Sequence, residues 1–505
     1  MTTTPTNAHG TERPTPASAD SRDGTQLLLI DGRWRAAQTG RTTAATSPVT
    51  EQRLAPVAAA TRADAAAAAD AAAAAFPAWS QTSPALRRTV LLRAADLLEE
   101  RSASIGATMT EENGAIAAWG QFNVRLAAGI LREAAAQAYG LVGEVLPSDV
   151  PGMLALGVRQ PVGVVVGIAP WNAPVILGVR AVAWALAYGN TVVLKASEQS
   201  PRTHAAIAEV LQDAGVPAGA INLITNDPAD APGIVEELVT HPQVRAVNFT
   251  GSTRVGRIIA ETAATHFKRT LLELGGKAPL IVLDDADLDA AAAAACFGAF
   301  MYQGQICMST ERIVVDRSIA DDFTEKLAAR ASALVTGNPT EPDTQVGPMI
   351  GRPALDHLRS LLQDALTHGA RIVAGGDHDG LIHQPTVVSD VTPDMRIYHE
   401  ESFGPVASIV VADDAEHALQ IANDTPYGLS SAVFGQDEAR AMNIARRLHT
   451  GIAHINGATV HDELLMPFGG VGDSGWGRFG ARSALEEFTD LRWITVSQQP
   501  RHYPL

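Results

Sequence analysis

Only two cysteines, Cys296 and Cys307, occur among 505 residues. No C-x-x-C pair and no Cys/His cluster with zinc spacing is present. A disulfide scaffold and a structural zinc domain are thereby excluded, and no metal is expected. Unpaired thiols fit a reducing compartment, so the cytoplasm is the expected location. Positive charge is also scarce: 38 Lys and Arg stand against 55 Asp and Glu, a net charge of −17. Nucleic acids and anionic membrane surfaces, which need clustered cations, are not expected partners. The uncharged run Gln160 to Val179 is broken by Pro161, Pro170 and Pro174, which argues against a membrane span. The first 25 residues hold no apolar core of a secretory signal. Rich in Thr, Pro, Ser and Ala, they are expected to form a disordered tail. Neither G-x-x-x-x-G-K-[ST] nor H-E-x-x-H occurs, so phosphate-loop ATPases and zinc proteases find no support.

The length suggests about three units of roughly 150 residues each. Residues 62 to 140 carry helix formers with apolar faces at helical period. From about 162 the pattern becomes strand, helix, strand. VGVVVGIA, NTVVLKA, AINLIT, RAVNFT and TLLEL read as strands, with helices such as APVILGVRAVAWALAYG between them. A second alternation follows, with a long helix expected over 286 to 302 and strands ERIVVD, VASIVVA and SSAVFG. The expected fold is therefore α/β, with parallel sheets covered on both faces. GMLALGVRQP and LRWITVSQ read as strands outside both units, free to pair with each other or with another subunit. The G-x-G-x-x-G match at Gly470–Gly475 does not sit between a strand and a helix, so it reads as a loop.

Polar groups collect at successive strand ends: Asn172, then Lys195 and Glu198, then Thr250, Gly251 and Ser252, then Glu273, and finally Cys307 after the long helix. A doubly wound sheet places its ligand site at the carboxyl ends of its strands. Packing alone does not account for five such groups in register.

The stretches PWNAP, VLKASEQSP, FTGST, LELGGKAP, GQICMST, EESFGPV and MPFGG, in this order and with 34 residues from Glu273 to Cys307, resemble the aldehyde dehydrogenase superfamily over residues 25 to 500. GQICMSTERIVV and INGATVHDELLMPFGG most resemble its salicylaldehyde, vanillin and benzaldehyde dehydrogenase group. The resemblance implies a Rossmann-type NAD-binding domain (26–142 and 162–275), a catalytic domain (276–476) and an oligomerisation segment (143–161 and 477–505), with a homodimer or homotetramer as the assembly. It implies Cys307 as nucleophile, Asn172 as an oxyanion donor beside the Cys307 backbone N–H, and Glu273 as the base that hydrolyses a thioester. It places Ile168, Trp171, Lys195, Glu198, Gly251, Ser252, Glu401 and Phe403 on the cofactor. A carboxylate at Glu198 would repel a 2′-phosphate, which favours NAD over NADP.

The same resemblance lines an aldehyde pocket with Trp119, Ala173, Leu177, Arg180, Ile306, Met308 and Phe468. Trp119 and Phe468 offer flat apolar faces for a ring, or simply fill core. Arg180 has three readings: a donor to a ring hydroxyl, a bidentate clamp on a carboxylate, or a helix-surface salt bridge. The expectation is oxidation of an aromatic aldehyde to its acid, with a semialdehyde dehydrogenase as the enzymatic rival and a non-catalytic protein on the same fold as the rival of another class.

Overall fold

A computed structural model describes residues 19–21, 23–501, 503 and 504. The first sheet owes its strands to β-branched runs buried on both faces. Its parallel centre comprises β1 (Val164–Ile168), β2 (Thr191–Lys195), β3 (Ile221–Ile224), β4 (Val244–Thr250) and β5 (Arg269–Glu273), in the spatial order β3-β2-β1-β4-β5. Antiparallel strands extend it on both sides: Leu28–Ile30 with Arg33–Arg35 outside it at one edge, and Gly475–Trp476 at the other. Strand order reverses between β1 and β4, where the chain leaves β1 to one side and β4 to the other. This is the switch point at which such sheets open a crevice. Helices α1 (Ala117–Gln137) and α2 (Pro174–Ala187) pack together on one face. Every residue of α2 is buried, and Pro174 opens it where a missing N–H is harmless.

The second sheet continues directly from the first. Strands β6 (Ala278–Val282) and β7 (Thr310–Asp316) lie beside β8 (Thr386–Ser389), β9 (Val406–Ala412), β10 (Ser430–Phe434) and β11 (Ile452–Ile455), all parallel, in the order β8-β9-β7-β6-β10-β11. The antiparallel strand Arg371–Ala374 forms its edge beyond β8. A third, three-stranded antiparallel ribbon joins Met153–Pro161 to Thr489–Ser497 along nine paired residues, with Glu144–Leu146 outside. The two strands read from the sequence as lying outside both units pair with each other. Among the described residues, no helix is long and apolar enough to cross a membrane.

Two expectations need correcting. The tail expected over 1–25 lies outside the described residues only in part. Ala19 is 5% exposed, Asp20 pairs with Gln26, and the Gln26 amide donates to the Ala19 carbonyl at 3.0 Å. These bonds fasten Ala19 and Asp20 to the body, which the polar composition did not reveal. The helix expected over 286–302 spans Leu288–Phe300, here α3. It stops because Tyr302, Gln303 and Gly304 adopt left-handed backbone, with φ of 47°, 55° and 67°. Such conformations cost of order 1–3 kcal/mol for residues with side chains and persist only where the surroundings enforce them. Here the Tyr302 hydroxyl donates to Asn113 O at 3.0 Å and the Gln303 amide to Pro348 O at 2.8 Å. At Gly304 a β-carbon would lie 2.1 Å from the Gly404 oxygen, so only glycine fits.

Candidate active site

The left-handed turn after α3 delivers Cys307 to the mouth of the crevice, opposite Glu273 at the end of β5. Thr250 and Glu273 are direct partners across β4 and β5, so the switch point and the carboxylate stand level. A chamber of about 220 Å³ is lined by Asn172, Thr250, Gly251, Ser252, Glu273, Cys307, Glu401 and Phe403, among others. Two glycines make this convergence possible. A β-carbon on Gly276 would lie 2.5 Å from the Cys307 carbonyl oxygen, and one on Gly275 would lie 2.7 Å from a Glu401 carboxylate oxygen.

Glu273 is 1% exposed, and neither of its oxygens has a hydrogen-bond partner among the described residues. Burial pushes its pKa up to about 7, against the lowering effect of the adjacent Cys307 thiol. Burial and then the Glu273 charge raise the Cys307 thiol well above its ordinary value. The pair therefore holds its proton until something draws it off. Asn172 is 5% exposed and donates from Nδ2 to Gln305 O at 2.9 Å; an amide carries a second N–H.

Behind the chamber the crevice widens to a cleft of about 540 Å³ that shares Trp171, Thr250, Gly251 and Ser252 with it. Ile168, Lys195 and Glu198 line its far end. Lys195 pairs with Glu198, and Asn226 donates to the same carboxylate oxygen at 3.0 Å. Ser252 caps the 13-residue helix Thr253–Thr265, whose free N–H groups open onto the cleft. Crevice, helix N-terminus and fixed carboxylate match a dinucleotide in shape and charge. No group of His, Cys, Asp or Glu suited to a metal ion occurs among the described residues.

The residues expected to wall the aldehyde pocket, Trp119, Ala173, Leu177, Ile306, Met308 and Phe468, belong to one buried cluster against which Cys307 packs. Trp119 stacks between Phe122 and Tyr302, at 5.5 and 5.0 Å, and its indole N–H donates to Asn172 O at 3.1 Å. Arg180 is neither on the surface nor a free cation. It is 5% exposed and pairs with Asp462 at 2.5 Å, its guanidinium 4.4 Å from the centre of the Phe468 ring. The helix-surface salt bridge is thereby corrected: every face of α2 is covered, so its arginine needs an internal counter-charge.

A model of the aldehyde dehydrogenase family matches residues 34–494. The chain belongs to that family. The enzyme is 54% identical to vanillin dehydrogenase of Pseudomonas fluorescens, with 95% of this chain and 99% of that one covered. It is 44% identical to salicylaldehyde dehydrogenase of Pseudomonas putida, covering 94% and 99%. The crystal structure of a salicylaldehyde dehydrogenase from Pseudomonas putida G7 complexed with salicylaldehyde superposes with a TM-score of 0.93, at 44% identity and coverage of 95% and 99%.

Several residues at the enzyme's site gave no sequence signal. Asp462 and Asn226 lie in segments without periodicity and meet Arg180 and Glu198 across 282 and 28 residues, while Phe122 and Tyr302 fall in stretches read only as helix. The GVGDSG segment, read as a loop, has a structural use: Ser474 donates to the Gly275 carbonyl at 2.6 Å and accepts from Gly428 N, bracing the turn after Glu273.

Proposed function

We propose that the enzyme oxidises an aromatic aldehyde to its carboxylic acid with NAD. The observation that carries the substrate class is the buried Arg180–Asp462 pair set against Phe468. A semialdehyde carboxylate would meet a guanidinium already neutralised and a second negative charge beside it. An aromatic ring meets the apolar surroundings of Trp119, Leu177, Met308 and Phe468, and a ring hydroxyl meets a polar pair able both to donate and to accept. The relatives named for vanillin and salicylaldehyde agree with this reading.

In this reading Glu273 takes the thiol proton of Cys307 as sulfur attacks the carbonyl carbon. The Asn172 amide and the Cys307 backbone N–H hold the developing oxyanion; losing one such donor costs on the order of 10²–10³ in rate. When bound, the nicotinamide supplies the acceptor for the hydride that the thiohemiacetal releases. Once it has passed the thiol proton to solvent, Glu273 draws a proton from the water that attacks the thioester, and the carboxylic acid leaves as the Cys307 sulfur regains a proton. Glu198 holds the adenosine ribose and disfavours a 2′-phosphate, while Glu401 and Phe403 hold the nicotinamide side. Ile168, Trp171 and Lys195 complete the cofactor wall, with Gly251 and Ser252 at the pyrophosphate.

Residues 26–142 with 162–275 form the cofactor domain and 276–476 the catalytic domain. The ribbon of 143–161 and 477–505 docks a second copy into a homodimer or homotetramer. Its exposed Val145, Leu491, Trp493 and Val496 offer the apolar surface. The two free cysteines suit the cytoplasm.

Steady-state kinetics on benzaldehyde, vanillin, salicylaldehyde and succinic semialdehyde test the substrate class. The aromatic aldehydes should dominate in kcat/KM. A preference for the semialdehyde that Arg180→Ala abolishes would overturn it.

A further inference from the structure

Lys277 and Glu311 stand 34 residues apart, each four residues beyond one member of the Glu273 and Cys307 pair. Their side chains are 0% and 3% exposed, and Lys277 Nζ donates to Glu311 Oε2 at 2.6 Å. The same carboxylate accepts the backbone N–H of Ser402 at 2.7 Å and that of Phe403 at 3.1 Å. Phe403 has φ of 45°, left-handed for a residue with a large side chain. That backbone persists only when it is held from outside. One of its restraints is the bond to Glu311. Another is the edge-on contact of its ring with Trp171, 5.8 Å between centroids.

Glu401, two residues earlier, accepts from Gly276 N at 2.9 Å, beside Lys277 in sequence. The loop 401–403 is thus fastened to the two segments that carry Glu273 and Cys307, and the ion pair makes most of the fastening. A lone buried charge is costly, so each member of the pair depends on the other. A neutral amide in its place would offer one acceptor oxygen for three donors.

We propose that Glu311, charged and held by Lys277, is a positioning residue that presets the loop Glu401–Phe403 for the nicotinamide side of the cofactor. It acts through the loop and touches neither aldehyde nor cofactor. The proposal rests on the reading of Glu401 and Phe403 given above.

Two activities of one protein separate this role from simple support of the fold. Aldehyde oxidation needs the cofactor. Hydrolysis of 4-nitrophenyl acetate does not: Cys307 sulfur bonds to the acyl carbon, 4-nitrophenolate leaves, and water releases acetate and the thiol. In Glu311→Gln the KM for NAD should rise at least about tenfold, the loss of one charge-assisted hydrogen bond, while ester hydrolysis stays within about threefold. An unchanged KM for NAD, or a parallel fall of both activities, overturns the proposal.

The double variant Lys277→Met with Glu311→Gln leaves no lone charge and guards against misfolding. Recovery of the melting temperature with the KM for NAD still raised supports positioning. Recovery of both means that the pair only stabilises, and the proposal fails. Glu401→Gln is read separately: an unchanged KM for NAD there overturns the role of Glu401, whatever Glu311 does.

Discussion

Two buried ion pairs flank the Cys307–Glu273 centre, one on each side, and they are built differently. Lys277–Glu311 spends its carboxylate on backbone N–H groups of a strained loop. Arg180–Asp462 stands among rings, with Phe468 and Phe479 at 4.4 and 5.7 Å from the guanidinium. Both temper the charge near an acidic side chain: Lys277 lowers and Glu311 raises the pKa of Glu401, while Arg180 lowers and Asp462 raises that of Glu273. A pair bonded to backbone fixes the shape of its surroundings. A pair framed by rings keeps its polar edge for what enters between them. Burial alone does not separate these roles; the partners do.

The largest expected effect lies at the centre that both pairs flank. Glu273→Gln should slow turnover by roughly 10²–10⁴-fold, the usual worth of a general base. Mass spectrometry after substrate and NAD should then show an acyl adduct on Cys307. Full turnover would assign the base elsewhere and leave neither pair guarding a catalytic centre.

Next come the single truncations. Arg180→Ala and Lys277→Ala each strand a buried carboxylate, a loss of about 3–5 kcal/mol in urea unfolding. Their kinetics should part, with the aldehyde KM rising in the first and the NAD KM in the second. Identical kinetic signatures would dissolve the contrast.

A milder change sharpens it. Arg180→Met with Asp462→Leu should recover most of the lost stability, since apolar replacement of a buried pair is often neutral. Discrimination between vanillin and benzaldehyde should shrink to within about threefold, because the polar edge that reads a ring hydroxyl is gone. Retained discrimination would place hydroxyl recognition on another residue.

The smallest effect concerns pH. Glu273 acts as a base only when ionised, so kcat/KM should rise as pH climbs through about 7. Asp462 raises that pKa, so Asp462→Asn should move the rise toward lower pH, by less than about one unit for one neighbouring charge. An unmoved profile would mean that Asp462 is not felt at Glu273.

Strand ends and motifs were readable because they are local: a β-branched run predicts β1, and polar residues at successive strand ends predict where the crevice opens. The two cysteines also separated, with Cys296 on a regular helix and Cys307 past a glycine turn. What stayed hidden is non-local. Asp462 meets Arg180 across 282 residues, and Glu311 reaches Ser402 across 91. No periodicity records either meeting. The left-handed run at Tyr302 and Gln303 was equally silent, since neither residue type prefers that backbone. The helix Arg352–Thr367 and the strands around it fell in a segment that had yielded no reading.

The ribbon carries one more consequence, in the timing of biosynthesis. One edge of Met153–Pro161 pairs at once with Glu144–Leu146, but the other finds its partner only in Thr489–Ser497, made more than three hundred residues later. Both parallel sheets except for one short edge strand are complete in the chain by Ile455. A nascent chain therefore lays down nearly all of both sheets while one long strand edge of the ribbon stays open, until Thr489–Ser497 has been made. Chains cut before Thr489 would keep that edge open as a template for pairing with another chain, so the ribbon ties a closed edge to the presence of Thr489–Ser497.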